Sequence, residues 1–286
     1  MLNAEGTGVR PVRTIELGGV RVDLFQIGVF RSDAGAIFGP VPRTTWEPLV
    51  RNEIDVQSRL LQSLNALLVR TATDAILLET GAVPAGERRE SEEMHSVSAR
   101  DALIAAQEDP DSLGYVIPSH LHRDHAGGLT RRDGEAAFPR ASIVAPRVEI
   151  DAVASPSARA RAAYDVPLLT RLFAGSPPET FADRRQLLPE VELRLIGGHT
   201  RGSQATIIRG REHTLLFMGD LFMRPWQANP RWVTAFDDEG WASVDAKSSI
   251  FAEAAAEEWL IVQSHELSEP LVRLEVDRDR FRPVAV

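Results

Sequence analysis

The sequence predicts a layered α/β protein whose strands carry metal-binding side chains at their ends. Short apolar segments typical of strands alternate with segments of helical spacing along the chain. Four of the apolar segments end at a histidine or an aspartate, at residues 117–125, 195–199, 217–220 and 261–265. Strands that deliver such side chains at the same ends would gather them along one edge of a sheet, where loops leave them accessible.

The composition limits the class of protein. The 286 residues are 43% hydrophobic and 26% charged, which is typical of a globular protein with a core. No linker or repeat divides the chain, so we expect one domain over residues 1–286. The formal net charge of −9 argues against nucleic acid as a partner. The chain has no cysteine, which excludes thiolate ligands and cysteine nucleophiles.

The sequence also bears on where the protein works. Its first residues lack a basic start followed by an apolar run, so no signal peptide is predicted. No stretch of about 18 apolar residues is present, so no spanning helix is expected. We therefore expect a cytoplasmic protein without a membrane partner, as a monomer or a homodimer.

The first half of the chain is predicted to form mainly strands and loops. Residues 12–30 predict a hairpin around Gly18 and Gly19, and residues 64–80 predict two further strands. Residues 31–60 show no sustained periodicity of apolar residues and are predicted to form a long irregular loop. Residues 82–97 are polar and are interpreted as a loop that leaves His95 in solvent.

The rest alternates helices and strands. Helices are predicted at residues 98–106, at two places between residues 147 and 173, and at residues 242–258. Strands are predicted at residues 114–118, 142–145, 183–197, 204–209, 214–217, 259–263, 271–276 and 281–284. His213 falls at the turn of a hairpin and is assigned to solvent.

The histidine-rich stretch at residues 119–128 suggests metal binding. Three of the seven histidines and one aspartate lie within six positions of each other. Imidazole and carboxylate are donors that divalent first-row metals accept. His120 and His122 alternate on extended backbone and therefore point the same way. Asp124 and His125 follow just before a Gly-Gly turn, which would aim them at a neighbouring position, so the stretch suggests two metals.

The arrangement His120-Leu-His122-Arg-Asp124-His125 resembles the H-x-H-x-D-H motif of the metallo-β-lactamase superfamily. Three further matches extend the resemblance over nearly the whole chain. Residues 79–81 (Glu-Thr-Gly) resemble the family's Asp-Thr-Gly, residues 198–200 its Gly-His-Thr, and residues 219–220 and 264–265 supply the remaining ligand positions. The resemblance implies a four-layer αββα sandwich of two mixed β-sheets flanked by helices, with metals at one edge.

The resemblance also implies the ligands. Carried over by motif, His120, His122 and His199 would hold the first metal, while Asp124, His125 and His265 would hold the second. Asp220 would bridge the two beside a shared water. The dinuclear subgroup that this chain resembles includes quorum-signal lactonases and enzymes like methyl parathion hydrolase. Two divalent ions are expected, zinc first, while iron, manganese or cobalt would accept the same donors.

The expected chemistry follows from the charge of the two ions. A bridging water would be acidified towards a pKa near ~7, and the resulting hydroxide would attack a carbonyl or phosphoryl centre. Asp124 is the candidate for moving a proton to the leaving group, so Asp124 and Asp220 are the predicted catalytic residues. We expect a hydrolase that acts on an ester, lactone or phosphotriester of a small apolar substrate. A thioesterase of glyoxalase II type and an iron-dependent oxidoreductase stay as alternatives.

Some positions depart from the family's pattern. Glu79 replaces an aspartate and either orients a ligand imidazole or is a strand-end surface residue. Met223 stands where the lactonases have a tyrosine. The apolar side chains predicted to line a substrate pocket come from the early loop and from the segment after Asp220. They are Phe38, Trp46, Phe222, Met223, Trp226, Trp232 and Phe236, with packing of the loops as the alternative.

Overall fold

Two mixed β-sheets form the centre of the computed structural model, which describes residues 11–82, 94–131, 133–278 and 280–286. In these ranges the first sheet contains β1 (Arg13–Glu16), β2 (Arg21–Asp33), β3 (Arg59–Arg70), β4 (Ala75–Leu78), β5 (Met94–Ser96), β6 (Tyr115–Ile117), β7 (Ser142–Pro146) and β8 (Glu179–Phe181). Its strand order is β1-β2-β3-β4-β6-β7-β8, and β5 pairs with β2.

The second sheet is built from the C-terminal part of the chain. It contains β9 (Arg184–Leu188), β10 (Val191–Leu195), β11 (Gln204–Arg209), β12 (Thr214–Phe217), β13 (Leu260–Val262), β14 (Leu271–Asp277) and β15 (Arg280–Ala285). The spatial order is β15-β14-β13-β12-β11-β10-β9. Both sheets combine parallel and antiparallel pairs: β4, β6, β7 and β8 are parallel, as are β12 and β13.

Seven α-helices are described, and the longer ones cover the outer faces of the sheets. They are α1 (Ala34–Phe38), α2 (Arg43–Val50), α3 (Ala99–Ala105), α4 (Arg123–Ala126), α5 (Arg147–Ala154), α6 (Val166–Gly175) and α7 (Gly240–Ala256). The hydroxyl of Ser98 accepts a hydrogen bond from the backbone N–H of Asp101 and so caps α3, as the sequence predicts. Within the described ranges, none of these helices has the length and hydropathy needed to cross a membrane.

The core has three layers. Strand β3 separates two of them, because it is buried on both faces. Leu67 and Val69 belong to the cluster between the two sheets, whereas Ala66 and Leu68 belong to the cluster beneath α3, α5 and α6. This alternation follows from the period of two in a strand. A third cluster, which includes Phe251, packs α7 on the second sheet. The αββα sandwich of two mixed sheets is therefore confirmed.

The strand directions explain why the motifs meet. Strands β4 and β6 are parallel, so the residues after them, including Glu79 and the stretch from His120 onwards, leave the same edge of the first sheet. In the second sheet β10 and β12 both run antiparallel to β11, and β13 is parallel to β12. The segments that carry His199, Asp220 and His265 therefore leave one edge as well.

Most predicted strands and helices are present, but the interpretation of residues 31–60 as an irregular loop is wrong. Strand β2 continues to Asp33, α1 and α2 follow, and β3 begins at Arg59. Both helices are short, and α2 contains Pro48, so the sequence gives little indication of either helix. They are stabilised by packing, since the rings of Phe38 and Trp46 stack at 4.8 Å.

Part of the segment predicted as a loop, residues 82–97, forms a strand. Residues 83–93 lie outside the described residues, and the side chain of His95 does too. Residues 94–96 are not a loop, because their backbone forms β5 against β2. His213 is exposed at the turn between β11 and β12, as predicted.

Candidate metal centre

The structure brings all seven predicted ligands together in two adjoining groups. His120, His122 and His199 form the first group. Asp124, His125, Asp220 and His265 form the second. Within each group, one donor atom from every side chain lies within 4.8 Å of the others.

Local backbone geometry sets the direction of these side chains. His122 has extended backbone and is the residue before α4, so Asp124 and His125 fall in the first turn of that short helix. Gly219 has a φ of +54°, and a Cβ there would lie 2.1 Å from the Ser119 hydroxyl oxygen. Only glycine permits this approach, which places the following Asp220 against the histidine-rich loop.

Asp220 lies between the two groups and presents one oxygen to each. Its Oδ1 is 3.1 Å from His125 Nε2 and 2.9 Å from His265 Nε2. Its Oδ2 is 3.5 Å from His199 Nε2, in the first group. A carboxylate with this orientation can bind two cations at once.

The nitrogen positions fit metal ions. His122 Nδ1 and His199 Nε2 face each other at 3.2 Å. Two nitrogens bound at about 2.0–2.1 Å to a tetrahedral ion would be separated by about 3.3 Å. The Nε2 atoms of His120, His125 and His265 are buried, and none of them makes a hydrogen bond to another described residue. Buried polar atoms are rarely left unpaired, so a cation at this position would account for all three.

The second nitrogen of three ligands is held by a neighbouring acceptor. Glu79 Oε2 lies 2.9 Å from His125 Nδ1, and Asp237 Oδ1 lies 3.0 Å from His199 Nδ1. The carbonyl oxygen of Ser63 lies 2.7 Å from His265 Nδ1. A proton held at Nδ1 leaves the lone pair of Nε2 directed into the site.

Glu79 is therefore not a surface residue. Its side chain is buried, and its Oε1 also accepts the backbone N–H of Ser119 at 2.8 Å. Of the two readings of this glutamate, the structure supports the one in which it orients the imidazole of His125. Asp237 was missed by the sequence analysis, because an Asp-Asp pair in an aromatic-rich segment carries no signal of a histidine partner.

Burial and charge set the protonation of the site. Burial lowers the pKa of His120 well below its usual range and that of His122 to about 3, so both imidazoles are neutral and can act as metal ligands. Burial opposes ionisation of Asp220, but the adjacent His125 and His265 hold its pKa well below the usual value. Burial likewise opposes ionisation of Asp124, yet His125 lowers its pKa to about 2. Both carboxylates are anionic and suited to cations.

A cavity of about 370 Å³ opens beside the two groups. Phe30, Ile37, Met223 and Phe236 contribute apolar surface to it. Ser32 and Gln62 contribute polar side chains, and Asp124, Asp220 and His265 reach it from the metal groups.

Most of the aromatic residues predicted to line a substrate pocket pack away from this cavity. Phe38 and Trp46 stack on each other, and Trp226 and Trp232 lie 4.9 and 6.0 Å from Phe38. Phe222 packs against Phe251 under α7, at 5.0 Å. Large apolar rings are more stable against each other than beside a polar site. Of the predicted set, Met223 and Phe236 line the cavity.

A second buried carboxylate connects the ligand loops. Glu149 Oε1 accepts the backbone N–H of Leu121 at 2.8 Å and the Tyr164 hydroxyl at 3.2 Å. Its Oε2 accepts the Thr200 hydroxyl at 2.8 Å and the Gly202 N–H at 3.2 Å. Tyr164 in turn packs its ring 4.9 Å from His122. Glu149 has no functional signal in the sequence, since a glutamate in a helix usually faces solvent.

The fold and the clustered donors define an αββα protein with a candidate metal centre at one edge of its sandwich. The profile of the metallo-beta-lactamase superfamily matches residues 61–248, which is more than half of the chain. The protein belongs to the metallo-β-lactamase superfamily.

Solved structures share this fold over almost the whole chain. A "probable metal-dependent hydrolase" from Staphylococcus aureus aligns with a TM-score of 0.83 and 22% identity, covering 95% of this chain and 99% of that one. AidC, a dizinc quorum-quenching lactonase in complex with a product, aligns with a TM-score of 0.81 and 18% identity, covering 98% of both chains. AbOPH, a hydrolase in the β-lactamase superfamily, aligns with a TM-score of 0.79 and 20% identity, covering 98% of both. No curated protein matches the sequence.

Proposed function

We propose that the protein is a dinuclear metal-dependent hydrolase that cleaves an ester, lactone or phosphotriester bond of a small, rather apolar substrate. The observation that carries the proposal is Asp220, whose two oxygens face two separate groups of donors. The description of AidC as a dizinc lactonase and of AbOPH as a hydrolase supports it, because both share the fold.

The residues that would hold the ions follow from the free donor atoms. The first ion would be held by His120 Nε2, His122 Nδ1 and His199 Nε2. The second would be held by Asp124, His125 and His265, with Asp220 shared between the two. When bound, two divalent ions supply a hydroxide nucleophile at neutral pH and polarise the bond that is cleaved. Zinc is the first candidate, and iron, manganese and cobalt fit the same donors.

Asp124 is the proposed proton carrier. Its Oδ2 lies 3.5 Å from His125 Nε2 and 3.9 Å from His265 Nε2. Its side chain is one quarter exposed and reaches the cavity, whereas the side chains of His125 and His265 are buried. It is ionised at neutral pH, since His125 lowers its pKa to about 2 against the effect of burial, and its position at the cavity would let it pass a proton to the leaving group.

The cavity supports a small substrate with apolar parts. Its volume of about 370 Å³ is near the lower end of the range for ligand pockets. Phe30, Ile37 and Met223 are buried side chains that would pack on the substrate and displace water from the reacting bond. Met223 offers no hydroxyl to the substrate carbonyl, so polarisation would fall to the metal centre.

Metal analysis together with a substrate panel tests the proposal. Purified protein should contain about two metal ions per chain and should hydrolyse members of a panel of lactones, aryl esters, thioesters and phosphotriesters. Asp220→Ala should lower kcat/KM by at least about 100-fold, because it removes the group shared by both ions. Asp245→Ala, at an exposed position on α7, is the matched control and should behave like the natural protein.

Three results would count against the proposal. Fewer than about one metal per chain, with activity that survives Asp220→Ala, would contradict it. Preference for thioesters would favour the thioesterase alternative. A single iron together with oxygen consumption would favour the oxidoreductase alternative.

A further inference from the structure

Gln62 lines the cavity and has a buried side-chain amide. Its side chain is 1% exposed, and its Nε2 donates a hydrogen bond to the Ser32 hydroxyl oxygen at 3.2 Å. Its Oε1 is buried and has no hydrogen-bond partner among the described residues. Gln62 and Ser32 line the same cavity as Asp220 and His265.

An acceptor in this position needs an explanation. Native structures seldom leave a buried amide oxygen without a donor, because water that once bonded to it is lost. The other buried unpaired atoms of the site are the Nε2 atoms of three histidines, which bound cations account for. The two groups of donors are complete without Gln62. A molecule that enters the cavity is therefore the candidate partner for the oxygen of Gln62.

The position of the amide is fixed relative to the metal groups. Gln62 on β3 is paired in register with Phe30 on β2, so their side chains are neighbours on one face of the sheet. The ring of Phe30 lies 5.1 Å from that of His265, nearly perpendicular to it. The next residue, Ser63, uses its carbonyl oxygen to hold His265 Nδ1 at 2.7 Å. A molecule that touches the second donor group therefore occupies the cavity that the amide also lines.

The cavity that Gln62 lines has an apolar part as well as the polar metal groups. Phe30, Ile37 and Met223 contribute the apolar side chains, and the hydrogen bond to Ser32 orients the amide so that its oxygen is the free group. An oriented acceptor in an apolar wall discriminates strongly, because a ligand without a donor leaves it unpaired.

We propose that Gln62 Oε1 accepts a hydrogen bond from a hydroxyl or amide N–H that the substrate carries beside the bond to be cleaved. The subsite of Phe30, Ser32 and Gln62 then selects donor-bearing esters or lactones over equally sized ones that lack the donor. This inference rests on the proposed function, since it names the substrate class of the same site.

A pair of ligands that differ at one group, a hydroxyl in the first and a methoxy group in the second, tests the inference. The lactones are α-hydroxy-γ-butyrolactone and α-methoxy-γ-butyrolactone, and the binding probes are their ring-opened acids, 2,4-dihydroxybutanoate and 4-hydroxy-2-methoxybutanoate. Calorimetry on metal-loaded protein gives a ratio of dissociation constants, and hydrolysis rates give a ratio of kcat/KM. The methoxy compounds keep an acceptor but lose the donor. We expect both ratios to favour the hydroxy compounds by about tenfold or more.

Variants assign the preference to Gln62. Gln62→Leu should bring both ratios close to one, and Gln62→Met, which has nearly the shape of glutamine, should do the same if leucine disturbs the wall. Gln263→Leu is the matched control, because Gln263 is also fully buried with an unpaired amide but does not line the cavity. Its ratios should equal those of the natural protein.

The two proposals fail in different ways. Ratios near one in the natural protein, or ratios unchanged in Gln62→Leu and Gln62→Met, would overturn the inference. The binding ratio needs no turnover, so an intact ratio without hydrolysis would support the subsite and count against the proposed function alone. Hydrolysis without a donor preference would count against the subsite alone.

Discussion

The carboxylate of Glu149 accepts a hydrogen bond from the hydroxyl of Thr200 at 2.8 Å, in the interior of the protein. Thr200 follows His199, and the other oxygen of Glu149 accepts the backbone N–H of Leu121, between His120 and His122. One side chain of α5 thus connects the two loops that carry the first donor group. Burial raises the pKa of Glu149, and the four donors around it oppose that effect.

Glu149→Gln should weaken binding of the first metal ion. The amide has a single acceptor oxygen and presents an N–H₂ group to donors, so one of the two loops loses its contact. We expect an affinity loss of about 10- to 100-fold at the first site, measured by competition with a chelator of known affinity. Glu16→Gln, at an exposed position on β1, is the control. Unchanged affinity in Glu149→Gln would show that the loops hold their positions without the carboxylate.

Glu79→Gln should weaken metal binding at the second donor group instead of the first. Glu79 accepts both the backbone N–H of Ser119 and the Nδ1–H of His125, and a glutamine can accept only one of them. We expect the second ion to bind about 10- to 100-fold more weakly, so that metal content falls from two per chain towards one in a dilute chelator. Equal loss of both ions would contradict the assignment of Glu79 to the second group.

Gly202→Ala should destabilise the fold. A Cβ at Gly202 would lie 2.2 Å from the Cβ of Glu149 and 2.6 Å from its backbone, so α5 would have to move. We expect the free energy of unfolding to fall by about 2 kcal/mol or more. Gly175→Ala is the control, because a Cβ there meets nothing within 4 Å. Chemical denaturation of both variants measures the difference, and similar stabilities would be the contrary result.

Lys247 should give the stability a pH dependence at alkaline pH. It is the only lysine of the chain, its side chain is buried on α7, and its Nζ donates to the carbonyl oxygen of Trp232 at 2.6 Å. Burial lowers its pKa from 10.5 to about 8, although Asp237 opposes this. Between these two pH values the unfolded chain binds more protons than the folded one, so the free energy of unfolding should rise with pH.

The rise from Lys247 should amount to at most about 3 kcal/mol across that window. Urea unfolding at several pH values from 7 to 10.5 measures it, and Lys247→Met should remove this part of the slope. A single lysine also gives one side-chain resonance in an NMR titration, which reports the pKa directly. A midpoint near 10.5 would contradict the effect of burial.

Much of the fold could be predicted because its signals are local. The hairpin at Gly18 and Gly19, the cap at Ser98 and the strand pair β11–β12 all depend on residues that are near each other in sequence. Helices α1 and α2 could not be predicted in the same way. They are too short to form alone, and the contact between Phe38 and Trp46 that stabilises them exists only after folding.

The residues of the candidate site also differ in whether their signal is local in the sequence. The spacing of His120, His122, Asp124 and His125 is enough by itself to indicate metal chemistry, because the donors lie within one turn and its flanking strand. Asp237, Glu149 and Gln62 carry no such signal, since each acquires its role from a partner 30 or more residues away or from the cavity.

The sequence by itself therefore determined the donor types and the superfamily, which depend on residue identity and short spacing. Only the tertiary structure decided which aromatic rings pack in the core, which carboxylates hold the ligand histidines and which polar group faces the cavity. Those properties depend on long-range contacts. A phenylalanine in the core and one that lines the cavity are the same residue type, so only their surroundings distinguish them.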